Sequence, residues 1–384
     1  MRLTVPSQST VEISTVFTAA EKDEFIKFPW QIYKNDPAWV PPLIIERRAF
    51  LDRDKHPFYR HGDAALFLAK RNGETVGRIM ASDDPNYNAL HKANVGCFGL
   101  FDSIDDIDVA SALFNAAEEW LRRKGRTEIM GPIDYSTNYV CGLLIDGFEY
   151  PPTLLTAHNP PYYAPLLEAC AFNKETDWYA WWFDPQNAPV SRLRRLVDAR
   201  TRKTSVKIRS IDLRRITDES RRLSAVFNEA WKNNWGFVPF TDAEAEDLAK
   251  EMRPIMDPRM TLIAEIDNAP VAFVICVPDI NVGLGHVNGR LTRFGLPIGL
   301  IKLLWYRRKI RKARFIALGV LKEYRRAGIA EMLVLQVLEE GASRGFTAEL
   351  SMTLEDNVMV NRFIEAMGAK RYKTYRIYRR PIIS

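Results

Sequence analysis

The residues best suited to a defined chemistry are consecutive: Arg325-Arg326-Ala327-Gly328-Ile329-Ala330. They stand between an apolar segment (314–321), predicted to be a strand, and an amphipathic segment (329–344), predicted to be a helix. A strand that turns directly into a helix leaves backbone amides free at the positive end of the helix dipole. Gly328 lets an anion approach the backbone closely, and the arginines add forked, charged donors. The spacing therefore predicts a pyrophosphate site at the start of the helix.

The elements that would position this loop occur in the same order in each half of the chain. That order is hairpin, strand, helix, strand, helix, strand, with hairpin turns expected at Asn72-Gly73 and Asn268-Ala269. The recurrence indicates an internal duplication. Prolines and turn residues over 184–189 separate the halves. We predict three parts, namely residues 1–190, a linker with a basic helix over 191–204, and residues 205–384 with an insertion at 279–311.

The C-terminal half, residues 205–384, resembles the GNAT superfamily, whose pyrophosphate loop reads Gln/Arg-x-x-Gly-x-Gly/Ala. Arg325, Gly328 and Ala330 match the three constrained positions. Asn357 then follows the expected fifth strand, and 367–369 resembles the family's terminal turn. The resemblance implies acetyl-CoA or another acyl-CoA as co-substrate, without a metal. The residues that it implies for the cofactor are Leu318, Val320, Arg325, Arg326, Ala327, Gly328, Ile329, Ala330 and Asn357.

The N-terminal half resembles a degenerate GNAT domain. Its segment 159–172 is similar to the family's last helix and turn, but the place of the pyrophosphate loop, 101–108, has four aspartates and no glycine. Such a loop would repel a pyrophosphate, so we expect this half to shape the acceptor site or to be a structural remnant. The loop 131–138 is a candidate acceptor loop or a tightly packed turn. The fold class predicted is α/β (α+β), with two GNAT-like domains, each a mixed, mostly antiparallel twisted sheet flanked by helices.

The proton donor of the reaction has no obvious residue. In many GNAT relatives a tyrosine protonates the departing thiolate, but the corresponding position here is Ile364, preceded by Phe363. Neither side chain can donate a proton. The tyrosines of the last predicted strand are either alternative proton donors or core residues: Tyr372, Tyr375 and Tyr378.

The proton acceptor is easier to narrow down, because an amine must lose a proton when it attacks a thioester. Glu355 is the first choice as base, with Ser351 as a relay and Glu349 as a further candidate. Capping of the next helix is the alternative role for Asp356 and Asn357. No Cys or Ser–His pair is placed for a covalent intermediate, so direct attack is expected.

The composition excludes several classes of protein. With 47% hydrophobic and 27% charged residues and a net charge of +6, the chain is typical of globular proteins with sizeable cores. No apolar run reaches membrane-spanning length, and the first 17 residues lack the pattern of a signal peptide, so we expect a cytoplasmic protein. The four cysteines are widely spaced and are expected to be free, buried thiols rather than metal ligands. No nucleic-acid motif accompanies the basic patches, which argues against a nucleic-acid partner.

The insertion at 279–311 offers candidate acceptor-binding residues and a basic amphipathic segment. The polar candidates are Asp279, Asn281, Asn288 and Arg290. Segment 299–311 combines apolar residues with a strongly basic end, which is typical of a membrane-surface helix or of a core helix with a solvated edge. The insertion is also suited to enclosing a long acyl chain or docking an acyl-carrier protein.

Together these features predict an acyl-CoA-dependent N-acyltransferase, with acetyl as the first choice of acyl group and a small-molecule or peptide amine as acceptor. One alternative is a non-catalytic CoA-binding sensor, which the missing tyrosine favours. The other is a long-chain N-acyltransferase that uses acyl-CoA or an acyl-carrier protein.

Overall fold

The fold is described from a computed structural model that describes residues 10–201 and 205–382. The predicted parts 1–190, 191–204 and 205–384 therefore include residues 1–9, 202–204 and 383–384, which lie outside the described residues. The strands are β1 (Glu12–Thr15), β2 (Asp63–Arg71), β3 (Glu74–Asp83), β4 (Val95–Ser103), β5 (Glu128–Gly131), β6 (Leu143–Asp146), β7 (Asn173–Phe183), β8 (Lys207–Ser210), β9 (Thr261–Ile266), β10 (Ala269–Pro278), β11 (Lys312–Val320), β12 (Thr347–Leu354) and β13 (Lys370–Pro381).

The helices occupy the positions between these strands. They are α1 (Ala19–Lys27), α2 (Pro29–Ile32), α3 (Ile44–Phe50), α4 (Pro85–His91), α5 (Ile107–Arg123), α6 (Tyr163–Ala169), α7 (Val190–Thr201), α8 (Ile216–Trp231), α9 (Asp242–Met252), α10 (Asn281–Leu284), α11 (Ile298–Arg307), α12 (Ile329–Ser343) and α13 (Val358–Ala366). The predicted strand–helix order of the C-terminal half is confirmed.

The thirteen strands of the described residues form one sheet, in the order β1-β2-β3-β4-β5-β13-β7-β12-β11-β10-β9-β8, with β6 paired to β13. The pairs β4–β5 and β11–β12 are parallel, and the other pairs are antiparallel. The predicted class, a mixed and mostly antiparallel sheet flanked by helices, is confirmed. The sequence did not indicate that the halves exchange their last strands. The C-terminal β13 pairs with β5, and β7 pairs with β12.

Local sequence signals account for several element boundaries. Thr18 and Thr241 each close a reciprocal capping box with a glutamate three residues later. Asn72 and Gly73 both have positive φ in the β2–β3 turn, as predicted. The second hairpin turns at Asp267-Asn268, one residue earlier than predicted, because these two residues adopt the positive φ values and Ala269 already belongs to β10.

The C-terminal sheet is covered on both faces. Ile263 and Phe273 point to the side of α8 and α9, whereas Leu262 and Val274 point to the side of α12. This alternation follows from the two-residue period of a strand. The four cysteines are buried and free, as predicted.

Candidate functional site

The sequence predicts a pyrophosphate site at the start of α12. Gly328 has φ 78° and precedes the first turn of α12, and no side chain of the described residues caps that turn. Arg325 donates from Nη2 to the carbonyl of Ala230 at 2.7 Å and from Nε to the carbonyl of Val320 at 3.3 Å. Arg325 therefore fixes the loop to the end of α8, while Arg326 is exposed beside the free amides.

A gap opens between the two parallel strands beside this loop. The pairing of β11 with β12 ends at Phe315 and Leu350, whereas its pairing with β10 continues to Val320. On its other edge, β12 pairs with β7 from Ala348 to Leu354. The edge of β11 that carries Leu318 and Val320 is therefore left without a strand partner among the described residues. Such an edge can accept the amide groups of an extended ligand.

An apolar cavity of about 290 Å³ adjoins this gap. Its walls come from α8 and α9, from the aromatic turn 235–240 and from strands β10 to β12. Most lining side chains are apolar, among them Leu223, Phe227, Trp231, Leu248, Met252 and Ile316. Apolar walls with few polar groups are typical of small-molecule sites.

The N-terminal half completes the cavity and holds the aromatic turn. Thr137 donates to the carbonyl of Gly236, and the hydroxyl of Tyr139 donates to Glu244 at 3.2 Å. The imidazole of His91 is 2.8 Å from the carbonyl of Phe237. The loop 131–138, a candidate acceptor loop from the sequence, therefore contributes a wall of the cavity through Thr137 and Asn138.

The polar end of the cavity consists of Arg314 and Ser351, which face each other across the gap. Arg314 Nε donates to Ser351 Oγ at 3.1 Å, and Ser351 Oγ donates to Glu349 Oε1 at 2.6 Å. Thr153 Oγ1, from the N-terminal half, donates to the same carboxylate oxygen at 2.5 Å. Two of the predicted catalytic residues, Glu349 and Ser351, are therefore joined in one buried hydrogen-bond chain that reaches the cavity.

The carboxylate of Glu349 is fully buried. Burial would raise the pKa of Glu349, but the charges of Lys373 and Arg314 and the hydrogen bonds from Ser351 and Thr153 outweigh it, so the pKa lies below its ordinary value. Burial in turn lowers the pKa of Lys373 to about 8, against the opposing charge of Glu349. Glu349 is therefore an ionised carboxylate beneath the cavity at neutral pH.

The last strand contributes a further group to this cluster. The hydroxyl of Tyr372 donates to Glu349 Oε2, and burial followed by the charge of Glu349 raises its pKa. Ile364, at the position of the expected tyrosine, packs in the core between α12 and α13.

The other predicted residues lie elsewhere. Glu355 pairs with Lys174 at 2.7 Å and accepts from the amide of Asp177 at 3.0 Å, at the seam with β7, and it does not line the cavity. Asn357 caps α13 by accepting from the amide of Val360 at 3.4 Å.

The polar residues of the insertion connect it to the N-terminal half. Asp279 accepts from the amide of Leu154 at 3.0 Å, and Asn281 donates to the carbonyl of Pro152 at 3.0 Å. Asn288 accepts from the indole of Trp30 at 2.6 Å, and Arg290 is exposed. Burial raises the pKa of Asp279 to about 6. The segment 152–154 thus lies between Asp279 and the Glu349 cluster.

Sequence reasoning missed Arg314, Thr153 and Lys373. Arg314 follows Arg311 and Lys312 at the start of the apolar run 314–321, so the sequence did not distinguish it from the end of the basic segment. Thr153 and Lys373 gave no signal, since their contacts depend on the exchanged strands. Within residues 10–201 and 205–382, no cluster of His, Cys, Asp and Glu has the arrangement of a metal site, and no helix is long and apolar enough to cross a bilayer.

The chain is similar to proteins of one known family. The model of the acetyltransferase (GNAT) family matches residues 222–369. The chain is 37% identical to Protein YghO of Escherichia coli (strain K12), covering 96% of this chain and 95% of that protein. It is 34% identical to the bacterial ceramide synthase of Caulobacter vibrioides (strain NA1000 / CB15N), covering 98% of this chain and 100% of that protein.

Solved structures share the whole architecture. A tandem GNAT protein from the clavulanic acid biosynthesis pathway matches with a TM-score of 0.58 at 13% identity, covering 97% of this chain and 99% of that one. A GCN5-related N-acetyltransferase from Sphaerobacter thermophilus matches with a TM-score of 0.53 at 14% identity, covering 99% and 98%. These likenesses extend over both halves of the fold.

Proposed function

The chain belongs to the GNAT acetyltransferase family as a tandem member, and from this premise we propose that it transfers a long-chain acyl group from a phosphopantetheine thioester to the amine of a lipophilic acceptor. The observation that carries the proposal is the apolar cavity at the gap between β11 and β12. An acetyl group is too small to contact most of these apolar walls. A longer acyl chain, in contrast, gains about 0.8 kcal/mol for each methylene that it buries there. The relative named as a ceramide synthase supports an acyl chain and a lipid-like amine as substrates.

The thioester is bound in this proposal by the start of α12 and the free edge of β11. The amides around Gly328 and the guanidinium of Arg326 take the pyrophosphate, and the backbone of Leu318 and Val320 takes the pantetheine amides. The acyl carbonyl then lies in the gap, near Arg314 and Ser351, and the chain enters the cavity.

The amine nitrogen attacks the thioester carbon, so that a C–N bond forms, the C–S bond breaks and the thiolate leaves. The nitrogen becomes acidic as it bonds to the carbonyl carbon, which lets a carboxylate of low pKa accept its proton. The amine gives its proton to Ser351 Oγ, which passes its own proton to Glu349 over 2.6 Å. Arg314, donating to Ser351 Oγ, keeps the relay oriented and balances the carboxylate charge.

The experiment is a donor profile with acyl-CoA from acetyl to palmitoyl, and with the matching acyl-carrier proteins, against a long-chain amino alcohol and a short amine. We expect the long-chain donors to exceed acetyl-CoA in kcat/KM by at least about tenfold. Equal or better turnover of acetyl-CoA would overturn the long-chain proposal and return the assignment to acetyl transfer. Binding without turnover of any pair would favour the CoA-binding sensor.

A cavity variant separates the role of the cavity from general damage. Ala249→Phe places a ring on the wall formed by α9 and is expected to lower kcat/KM for the longest donors about tenfold while sparing short ones. The control is Ala243→Phe, on the same helix but outside the cavity lining, which should leave the profile unchanged.

A further inference from the structure

The insertion between β10 and β11 presents an apolar surface to solvent, here called the insertion tip and defined as residues 290–311. Six of its large apolar side chains are at least 40% exposed: Phe294 87%, Leu296 59%, Leu300 40%, Ile301 62%, Leu304 51% and Trp305 51%. Most exposed apolar residues of a globular protein occur singly, and a contiguous group of this kind marks an interaction surface.

The backbone holds these side chains outward. Arg293 and Leu296 exchange amide–carbonyl hydrogen bonds of 2.9 and 3.0 Å, which closes a tight turn with Phe294 and Gly295 at its tip. Phe294 has φ 53° there, a conformation that a bulky residue adopts only at a cost in free energy. Its exposed ring recovers little of that cost within the protein.

The helix α11 is fixed with its apolar face outward. A Cβ on Gly299 would lie 2.0 Å from the carbonyl oxygen of Arg290, so the helix packs directly on the preceding backbone at that position. Leu303 packs into the core on the same side. Ile301, Leu304 and Trp305 lie on the opposite side at helical spacing.

The charge of this region has one sign. Seven exposed Lys and Arg residues lie within the tip (Arg290, Arg293, Lys302, Arg307, Arg308, Lys309 and Arg311), and no Asp or Glu occurs between Asp279 and Glu323. Lys309 Nζ stands 3.5 Å from the ring centroid of Trp305, so cation and aromatic ring present one surface. Basic residues near an anionic membrane surface strengthen binding by electrostatic attraction.

We propose that the insertion tip docks the protein on an anionic lipid bilayer, with Phe294 and the exposed face of α11 in the headgroup–acyl boundary and the basic residues on the lipid headgroups. A protruding apolar turn beside a basic helix fits a deformable lipid surface, whereas a protein partner would need a matching groove. The insertion is anchored to the N-terminal half through α10, where Asn281 donates to the carbonyl of Pro152, so docking of the tip would hold the whole chain at the membrane. The inference itself requires only binding.

The test is co-sedimentation of the full chain with vesicles of phosphatidylcholine, with and without phosphatidylglycerol, at low and high salt. We expect binding only to the anionic vesicles, weakened by salt. Phe294→Ser/Trp305→Ser and Arg307→Glu/Arg308→Glu/Lys309→Glu should each lower the partition coefficient at least about tenfold. All substituted residues are exposed, so the unfolding transition should match that of the wild type.

Two matched controls keep the result specific. Met359→Ser removes an equally exposed apolar side chain outside the tip, and Arg192→Glu/Arg195→Glu reverses exposed charges on α7. Both should bind like the wild type. No binding of the wild type to anionic vesicles at low salt, unchanged binding of both tip variants, or equal loss in the controls would overturn the proposal. Because vesicle binding needs no acyl transfer, its failure would leave the proposed reaction untouched.

Discussion

Both halves contain the same strand–helix–strand unit, but the start of its helix is capped in the N-terminal half and, over the residues that the structure describes, uncapped in the C-terminal half. In the N-terminal half, Asp106 caps α5 by accepting from the amides of Asp108 and Val109 at 2.9 and 3.2 Å. In the C-terminal half, α12 begins at Gly328 without a side-chain cap among the described residues. The first helix start is capped by the carboxylate of Asp106. The second has no such cap and, in the proposed function, binds the pyrophosphate of the donor.

The gap beside each helix shows the same contrast. Beyond its pairing with β5, the edge of strand β4 is hydrogen-bonded to the loop that follows β5. The amide of Ile133 donates to the carbonyl of Phe98 at 2.7 Å, and the amide of Leu100 donates to Asp134 at 3.0 Å. The corresponding edge of β11, beyond Phe315, has no strand partner within the described ranges. The N-terminal unit therefore has a closed strand edge and contributes a wall of the cavity, while the corresponding edge of the C-terminal unit stays unpaired within the described residues.

The largest effect is expected in the proton relay. Ser351→Ala should lower kcat about 100-fold with little change in KM, because the amine loses its path to Glu349 while the thioester site is untouched. Steady-state kinetics with a long-chain acyl-CoA measure the effect. The control is Thr353→Ala, on the same strand as Ser351, which removes a hydrogen bond donated by Trp181 of β7 and should keep kcat. A Ser351→Ala enzyme with wild-type kcat would remove the relay from the account.

The N-terminal half contains a buried histidine, His56, whose protonation should cost stability in acid. Burial, followed by the charge of Arg47, lowers the pKa of His56 to about 4. At His56 the unfolded chain therefore binds more protons between pH 6.5 and 4, so the contribution of this residue to stability falls as the pH drops through that range, by roughly 2 kcal/mol at pH 5. Denaturant unfolding at pH 7 and pH 5 measures the loss. His56→Asn keeps an acceptor for the amide of Phe58 and should flatten this dependence; an unchanged slope would show that His56 is not its source.

The smallest effect is expected at the filled helix start. Asp106→Ala removes the cap of α5 and should lower the free energy of unfolding by about 1 kcal/mol. Donor affinity, measured by calorimetry, should stay unchanged because the site belongs to the other half. A change in donor affinity without a change in stability would mean that the N-terminal turn also contacts the donor, against the contrast drawn between the halves.

Much of this contrast follows from sequence patterns, and part of it does not. The loop at Gly328, the capping boxes and the acidic turn at Asp106 are local features, because helix capping and turn chemistry depend on residues only a few positions apart. The strand exchange between β7 and β13 is non-local, and nothing in the period of either strand indicates its neighbour. For that reason the contact of Thr153 with Glu349, 196 residues apart, was beyond sequence reasoning.

Isothermal titration of acetyl-CoA and palmitoyl-CoA into the wild type and Gly328→Glu shows whether the start of α12 binds the donor. The control is Gly345→Glu, just past the end of α12, which makes the same change in charge. Gly345 has φ 67°, and no atom lies within 4 Å of the position that an added Cβ would take. We predict that the wild type and Gly345→Glu bind both donors, palmitoyl-CoA more tightly, and that Gly328→Glu binds neither. Equal binding by Gly328→Glu, or no binding by folded wild type, would contradict the assignment of the start of α12 as the donor site.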